Sequence, residues 1–130
     1  MQKRIINPWT WSEDRGYAQS VEVKQVESTL YCAGQAAVLA DGTSSDADMK
    51  TQMNIALQNL EKVISEAGYA CKNIVRLNIY STSTDELLST CFDVYVNWAR
   101  KNNVETALTV MEVNALYETL NIEFEATLVK

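Results

Sequence analysis

The sequence predicts a mixed α+β domain with the order β-β-β-α-β-α-β-β, two helices covering one face of a six-stranded mixed sheet. Three observations carry this. Residues 46–67 and 84–101 place apolar side chains three and four apart, the period of an amphipathic helix. Residues 120–129 alternate strictly, with Leu120, Ile122, Phe124, Ala126 and Leu128 set against Asn121, Glu123, Glu125 and Thr127. The chain has 130 residues, 47% hydrophobic and 22% charged, which suits one core and a single domain over residues 1–130.

Each element has its own signal. Residues 3–6 form a short strand, followed by an arm with Trp9 and Trp11 beside Pro8. Residues 18–24 and 28–34 read as a hairpin, with Val21 and Val23 alternating with polar neighbours. In the first helix Met49, Met53, Ala56, Leu57, Leu60, Val63, Ile64 and Ala67 recur at three and four; Ser45 with Asp48 resembles a capping box, and Gly68 stands at the C-cap. In the strand 73–81, Val75, Leu77 and Ile79 face one side, and Arg76, Asn78 and Tyr80 the other. The second helix opens on Ser83 and Glu86, and its stripe is Leu88, Cys91, Tyr95 and Trp98. Strands 107–113 and 120–129 close the chain. The sheet face away from the helices has no cover of its own. Tyr80, Leu108 and Val110 are expected on it, covered by another subunit.

Composition excludes several functions. The net charge of −6 works against nucleic-acid binding, which needs cations on phosphates, and against an anionic membrane surface. No apolar run reaches the ~18 residues of a membrane span. Residues 1–8 lack the apolar stretch of a secretory signal. Cys32, Cys71 and Cys91 are odd in number and show no C-x-x-C spacing, which fits free thiols in a reducing compartment and a cytoplasmic protein. There is no histidine, which removes Ser-His-Asp and Cys-His nucleophile pairs and His-ligated metal sites.

Four segments in order resemble the Rid (YjgF, endoribonuclease L-PSP) family. They are Gly16-Tyr17-Ala18-Gln19-Ser20, Cys32-Ala33-Gly34-Gln35, residues 73–80, and Glu112-Val113-Asn114-Ala115-Leu116 followed by Ile122-Glu123-Phe124-Glu125-Ala126. The resemblance covers roughly residues 15–130. It implies a chorismate-mutase-like fold and a homotrimer with small-molecule clefts between subunits. Typical members hydrolyse reactive imines and enamines to carbonyl compounds and ammonia, with no cofactor and no metal. In those members an arginine binds the substrate carboxylate, and a glutamate with backbone groups holds the attacking water.

Residue by residue, the resemblance makes Glu123 and Tyr17 the catalytic candidates. A carboxylate on the polar face of a strand can orient water and accept its proton; ion pairing with Arg76 is the structural alternative. Tyr17 is either a hydrogen-bond donor to the ligand or an interface plug. Gly34 and Gln35 match a turn suited to close backbone approach. Tyr80 is placed at the same site, and Cys91 stands where the family often has a helix asparagine. Glu125, two residues from Glu123, reads as structural. The departure is at residue 108: the family's P-A-R-S/T is Thr106-Ala107-Leu108-Thr109 here. Leucine cannot make the bidentate contact of a guanidinium. Arg15, two residues before Tyr17, is the first candidate for a substitute cation and Arg76 the second.

Two main readings follow. One is a Rid-type hydrolase with an altered substrate; the other is a non-catalytic trimer that binds a metabolite in the same clefts. A ribonuclease is disfavoured by the acidic charge and the absence of histidine. A thiol-dependent chaperone role rests only on the three cysteines and the apolar sheet face.

Overall fold

In the computed structural model, which describes residues 1–130, the chain runs β1 (Gln2–Ile6), β2 (Ser20–Lys24), β3 (Thr29–Tyr31), β4 (Gln35–Ala36), α1 (Met49–Glu66), β5 (Ile74–Ser81), α2 (84–101), β6 (Ala107–Glu112) and β7 (Ile122–Val129). This is the mixed α+β architecture read from the sequence. The strictly alternating segment becomes the interior strand β7, bonded to β5 on one side and to β3 and β4 on the other. Its five apolar positions, Leu120 to Leu128, are all buried. The β5–β6 pair is parallel and the other pairs are antiparallel.

The expected hairpin between 18–24 and 28–34 does not form. β2 pairs with β1 as a separate two-stranded ribbon, and β3 pairs with β7. Gln25 turns the chain with φ +56°, and the N–H groups of Glu27 and Ser28 both donate to the Lys130 carbonyl. The chain is thereby carried across to β7 before it can fold back on β2. The sheet is thus five strands plus a ribbon, joined where Ala18 N–H donates to Thr106 O (2.8 Å) beside the parallel bridge Ala18–Ala107.

α1 starts one turn later than expected. Asp48 is the N-cap and accepts from Thr51 N–H (3.1 Å), while the Ser45 hydroxyl accepts from Ala47 N–H (3.1 Å). Thr51 is the helix N3 residue, so its N–H is among the unpaired donors of the first turn. Gly68, φ +80°, follows the helix end as expected. The buried side chain of Gln52 holds α1 to the loop before β7. Its amide donates to the carbonyls of Ser45, Ala47 and Thr119, and its oxygen accepts from Asn121 N–H.

The second helix is α over Thr84–Glu86, π over Leu87–Cys91, then α over Phe92–Lys101. The extra residue of the π turn shifts the phase of the helix. Leu87, Cys91, Tyr95 and Ala99 are therefore the buried positions, whereas Leu88 is exposed, contrary to expectation. Ser83 caps it as expected, accepting from Glu86 N–H.

The faces of the sheet also need one correction. β6 pairs in parallel with β5, so Leu108 lies beside Leu77 and Val110 beside Ile79. Directly paired residues share a face, and Leu77 and Ile79 are buried under the helices. Leu108 and Val110 therefore pack against the main core. Ala107, Thr109 and Met111 hold the positions expected for them. A bulge between Ile74 and Arg76 likewise moves Ile74 into the core and leaves Val75 half-buried.

Candidate active site

The site candidates fall on two edges of the sheet. At the β4 edge, five residues from Tyr31 to Gln35 oppose four from Thr127 to Phe124, so one residue is extra and the strand bulges. Gly34 sits in this bulge against the side chain of Glu123. A Cβ at residue 34 would lie 2.5 Å from Glu123 Oε1 and 2.6 Å from its Cδ. The Glu123 side chain occupies the space a side chain at residue 34 would take, so glycine lets the carboxylate hold this position. Gln35 follows, its amide donating to Ala33 O (3.2 Å). A groove of about 390 Å³ opens beside Gly34, Gln35 and Glu123, with Lys62 and the exposed Tyr117 also on its wall. Asn59 fixes the groove's floor by donating to the carbonyls of Ala36 and Val38, both at 2.9 Å.

The face of the sheet away from the helices carries a polar array. Asn78 and Tyr80 both donate to Glu125 Oε1 at 3.0 Å, and Arg76 donates to Thr109 Oγ1 at 2.9 Å. The hydrogen bond to Glu125 is the largest cause of the raised Tyr80 pKa. Glu125 is thus the structural carboxylate expected. Glu123 has no salt bridge to Arg76 or to any other cation. The Asn78 Oδ1 is buried without a partner.

Tyr17 and Leu108 belong to the opposite edge. Gly16 adopts φ +77°, and a Cβ there would meet the Tyr95 ring at 2.8 Å. The buried Tyr95 hydroxyl donates to Gly16 O (2.7 Å), which holds the turn before Tyr17. Tyr17 lines a cavity of about 360 Å³ with Gly16, Glu13, Arg100 and Asn103, and Trp11 lies edge-on to its ring at 6.4 Å. Arg15 places its guanidinium over Trp11, 5.3 Å from the ring centre. Cys91 is buried at the end of the π turn, and burial raises its thiol pKa, so it packs as an apolar residue.

Glu123, Gly34 and Gln35 therefore come together, and Tyr17 does not join them within one chain. Lys62, Asn59 and Tyr117 at the first edge and Arg100 at the second were not singled out from the sequence. Only Tyr117 had a readable signal, since it stands where the resembling family has the proline of E-V-x-x-L-P. No group of three or more Cys, Asp or Glu side chains is arranged to hold a metal ion, and no helix is long and apolar enough to cross a membrane.

The model of the family described as endoribonuclease L-PSP matches residues 13–130. The mitochondrial protein mmf2 of Schizosaccharomyces pombe is 33% identical over 86 residues, 66% of this chain and 65% of that protein. The match thus spans just under two thirds of that relative. Among solved structures, YyfB of the Rid family from Yersinia pestis is 30% identical with a TM-score of 0.87, covering 100% of both chains. Escherichia coli TdcF with bound serine is 22% identical with a TM-score of 0.72, over 88% of this chain and 87% of that one.

Proposed function

This chain belongs to the endoribonuclease L-PSP (Rid/YjgF) family, and from that premise we propose that it hydrolyses a small imine or enamine to a carbonyl compound and ammonia, in a cleft completed by a second copy of the chain. The observation that carries this reading is the Gly34 bulge pressed against Glu123 beside an open groove. The carboxylate orients a water and takes its proton as the oxygen bonds to the imine carbon. That proton passes to nitrogen, giving a carbinolamine; the carboxylate then carries the hydroxyl proton to nitrogen as the carbonyl forms, the carbon–nitrogen bond breaks, and ammonia leaves. The serine held by TdcF supports a ligand of amino-acid size.

The separation of the two edges supports a second copy, if both edges serve one site. Tyr17 with Leu108 at one edge and Glu123 with Gly34 at the other meet only if unlike edges of neighbouring copies face each other. Such head-to-tail contacts close into a ring, here the homotrimer expected of the family. The unpaired Asn78 Oδ1 and the uncovered polar face also favour a neighbour.

Leu108 favours an altered ligand, because the carboxylate anchor is gone. The same observation supports a second reading, a metabolite-binding trimer without turnover. A ribonuclease is disfavoured by the net charge of −6. The three free buried thiols fit the cytoplasm, although mmf2 is mitochondrial by name; cell fractionation decides. The hydrolase reading is tested by generating imines in situ with amine and amino-acid oxidases and following semicarbazone formation. Accelerated loss of an uncharged imine, abolished in Glu123→Gln, is expected. No acceleration with any imine leaves the binding trimer.

A further inference from the structure

The arm between β1 and β2 carries two exposed tryptophans, Trp9 at 60% and Trp11 at 49%. On a loose arm they would mean little, but this arm is fixed. Gln19 N–H donates to Asn7 Oδ1 (2.8 Å), and the Gln19 side-chain amide donates to Trp9 O (3.0 Å) and Ser12 Oγ (3.3 Å). Ser12 is fully buried. Trp9 and Trp11 lie within 21° of parallel, 6.1 Å between ring centres, and Trp11 meets Tyr17 edge-on. Rigid, pre-ordered aromatic surface left in water binds without a large ordering cost.

The position of this surface matters. Ala18, next to Tyr17, is bonded to Thr106 and bridged to Ala107, directly before Leu108. The aromatic platform therefore stands at the edge that lacks the arginine. That edge holds a core-packed leucine where the arginine would stand, and it presents an indole pair and a phenol. Arg15, the first candidate for a substitute cation, lies over Trp11 and extends the stacking surface. The Glu123 groove on the other edge adds the exposed ring of Tyr117 at its lip.

We propose that the ligand is an uncharged compound with an aryl group, which stacks on Trp11 and Tyr17 while its nitrogen or carbonyl end reaches Glu123 of the adjacent copy. The inference rests on the proposed function for the adjacent copy and for the chemistry at its Glu123.

Binding and turnover are measured separately on the assembled protein. By calorimetry, acetophenone, the carbonyl product of an uncharged aryl imine, is expected to bind at least about tenfold more tightly than pyruvate. Trp11→Ala is expected to weaken acetophenone binding about threefold to tenfold, with Trp11→Phe recovering part of the loss. Turnover is followed with the imine formed from 1-phenylethylamine by an amine oxidase. Equal or tighter binding of pyruvate overturns the inference, as does acetophenone binding untouched by Trp11→Ala. A drop in assembly mass in Trp11→Ala also overturns it, since the platform would then be a subunit contact. Acetophenone binding without turnover of any imine leaves this inference standing and removes the hydrolase reading.

Discussion

The two edges of the sheet have diverged to different degrees. The β4 edge keeps the family's pattern: a glycine in a bulge, a glutamine after it, and a glutamate pressed against the bulge. The β6 edge keeps Tyr17 but holds Leu108 in place of the arginine and adds a fixed pair of tryptophans. Under the proposed function, the first edge would handle water and nitrogen and the second would meet the rest of the ligand, so that recognition could change without moving the carboxylate.

The sharpest way to break this comparison is at the β4 edge. Glu123→Gln should lower imine turnover by about 100-fold or more, while unfolding free energy stays within about 0.5 kcal/mol. A large loss of stability in urea would make Glu123 structural. On the other edge, Leu108→Arg should raise affinity for a carboxylate-bearing ligand about tenfold to a hundredfold. It should also cost about 1–3 kcal/mol, because Leu108 packs beside Leu77. Gly34→Ala should reduce turnover about tenfold with little effect on Tm, since the clashing atoms are the mobile end of Glu123.

The smallest effect concerns the thiols, all three of which are buried. Burial, with smaller contributions from Glu61 and Cys32, raises Cys71 from 9.0 to about 11. Its protonated form is favoured by folding, so the associated stability is intact below pH 9 and is lost as pH rises through about 11. Urea unfolding at pH 8 and pH 10.5 should show this decline. In the native state at pH 8 all three cysteines should resist alkylation, and in denaturant all three should react.

Much of this was legible in the sequence because burial repeats with a fixed period. Strict alternation located β7, and the 3.6-residue period located both helices. Two failures share one cause: a single inserted residue shifts every later side chain. The π turn at Leu87–Cys91 buried Leu87 in place of Leu88, and the bulge after Ile74 moved that residue into the core. Leu108 and Val110 were misplaced because the face of an edge strand is set by its register with β5, a long-range property. The hairpin failed because hydrogen bonds to Lys130 decided the path of β3. At the site, motif matching found Glu123, Gly34 and Gln35. Lys62 is exposed and Asn59 half-buried on α1, and their contact with the groove has no local signal.

The central claim is that one site is shared between unlike edges of two copies. Two impaired variants, Glu123→Gln and Tyr17→Ala, mixed after gentle dissociation and reassembly, give its test. In a head-to-tail ring, some interfaces pair an intact Glu123 with an intact Tyr17, and recovery of about a quarter of the unmodified activity is expected. No recovery in reassembled particles of about three times the 14.6 kDa chain mass would contradict the claim.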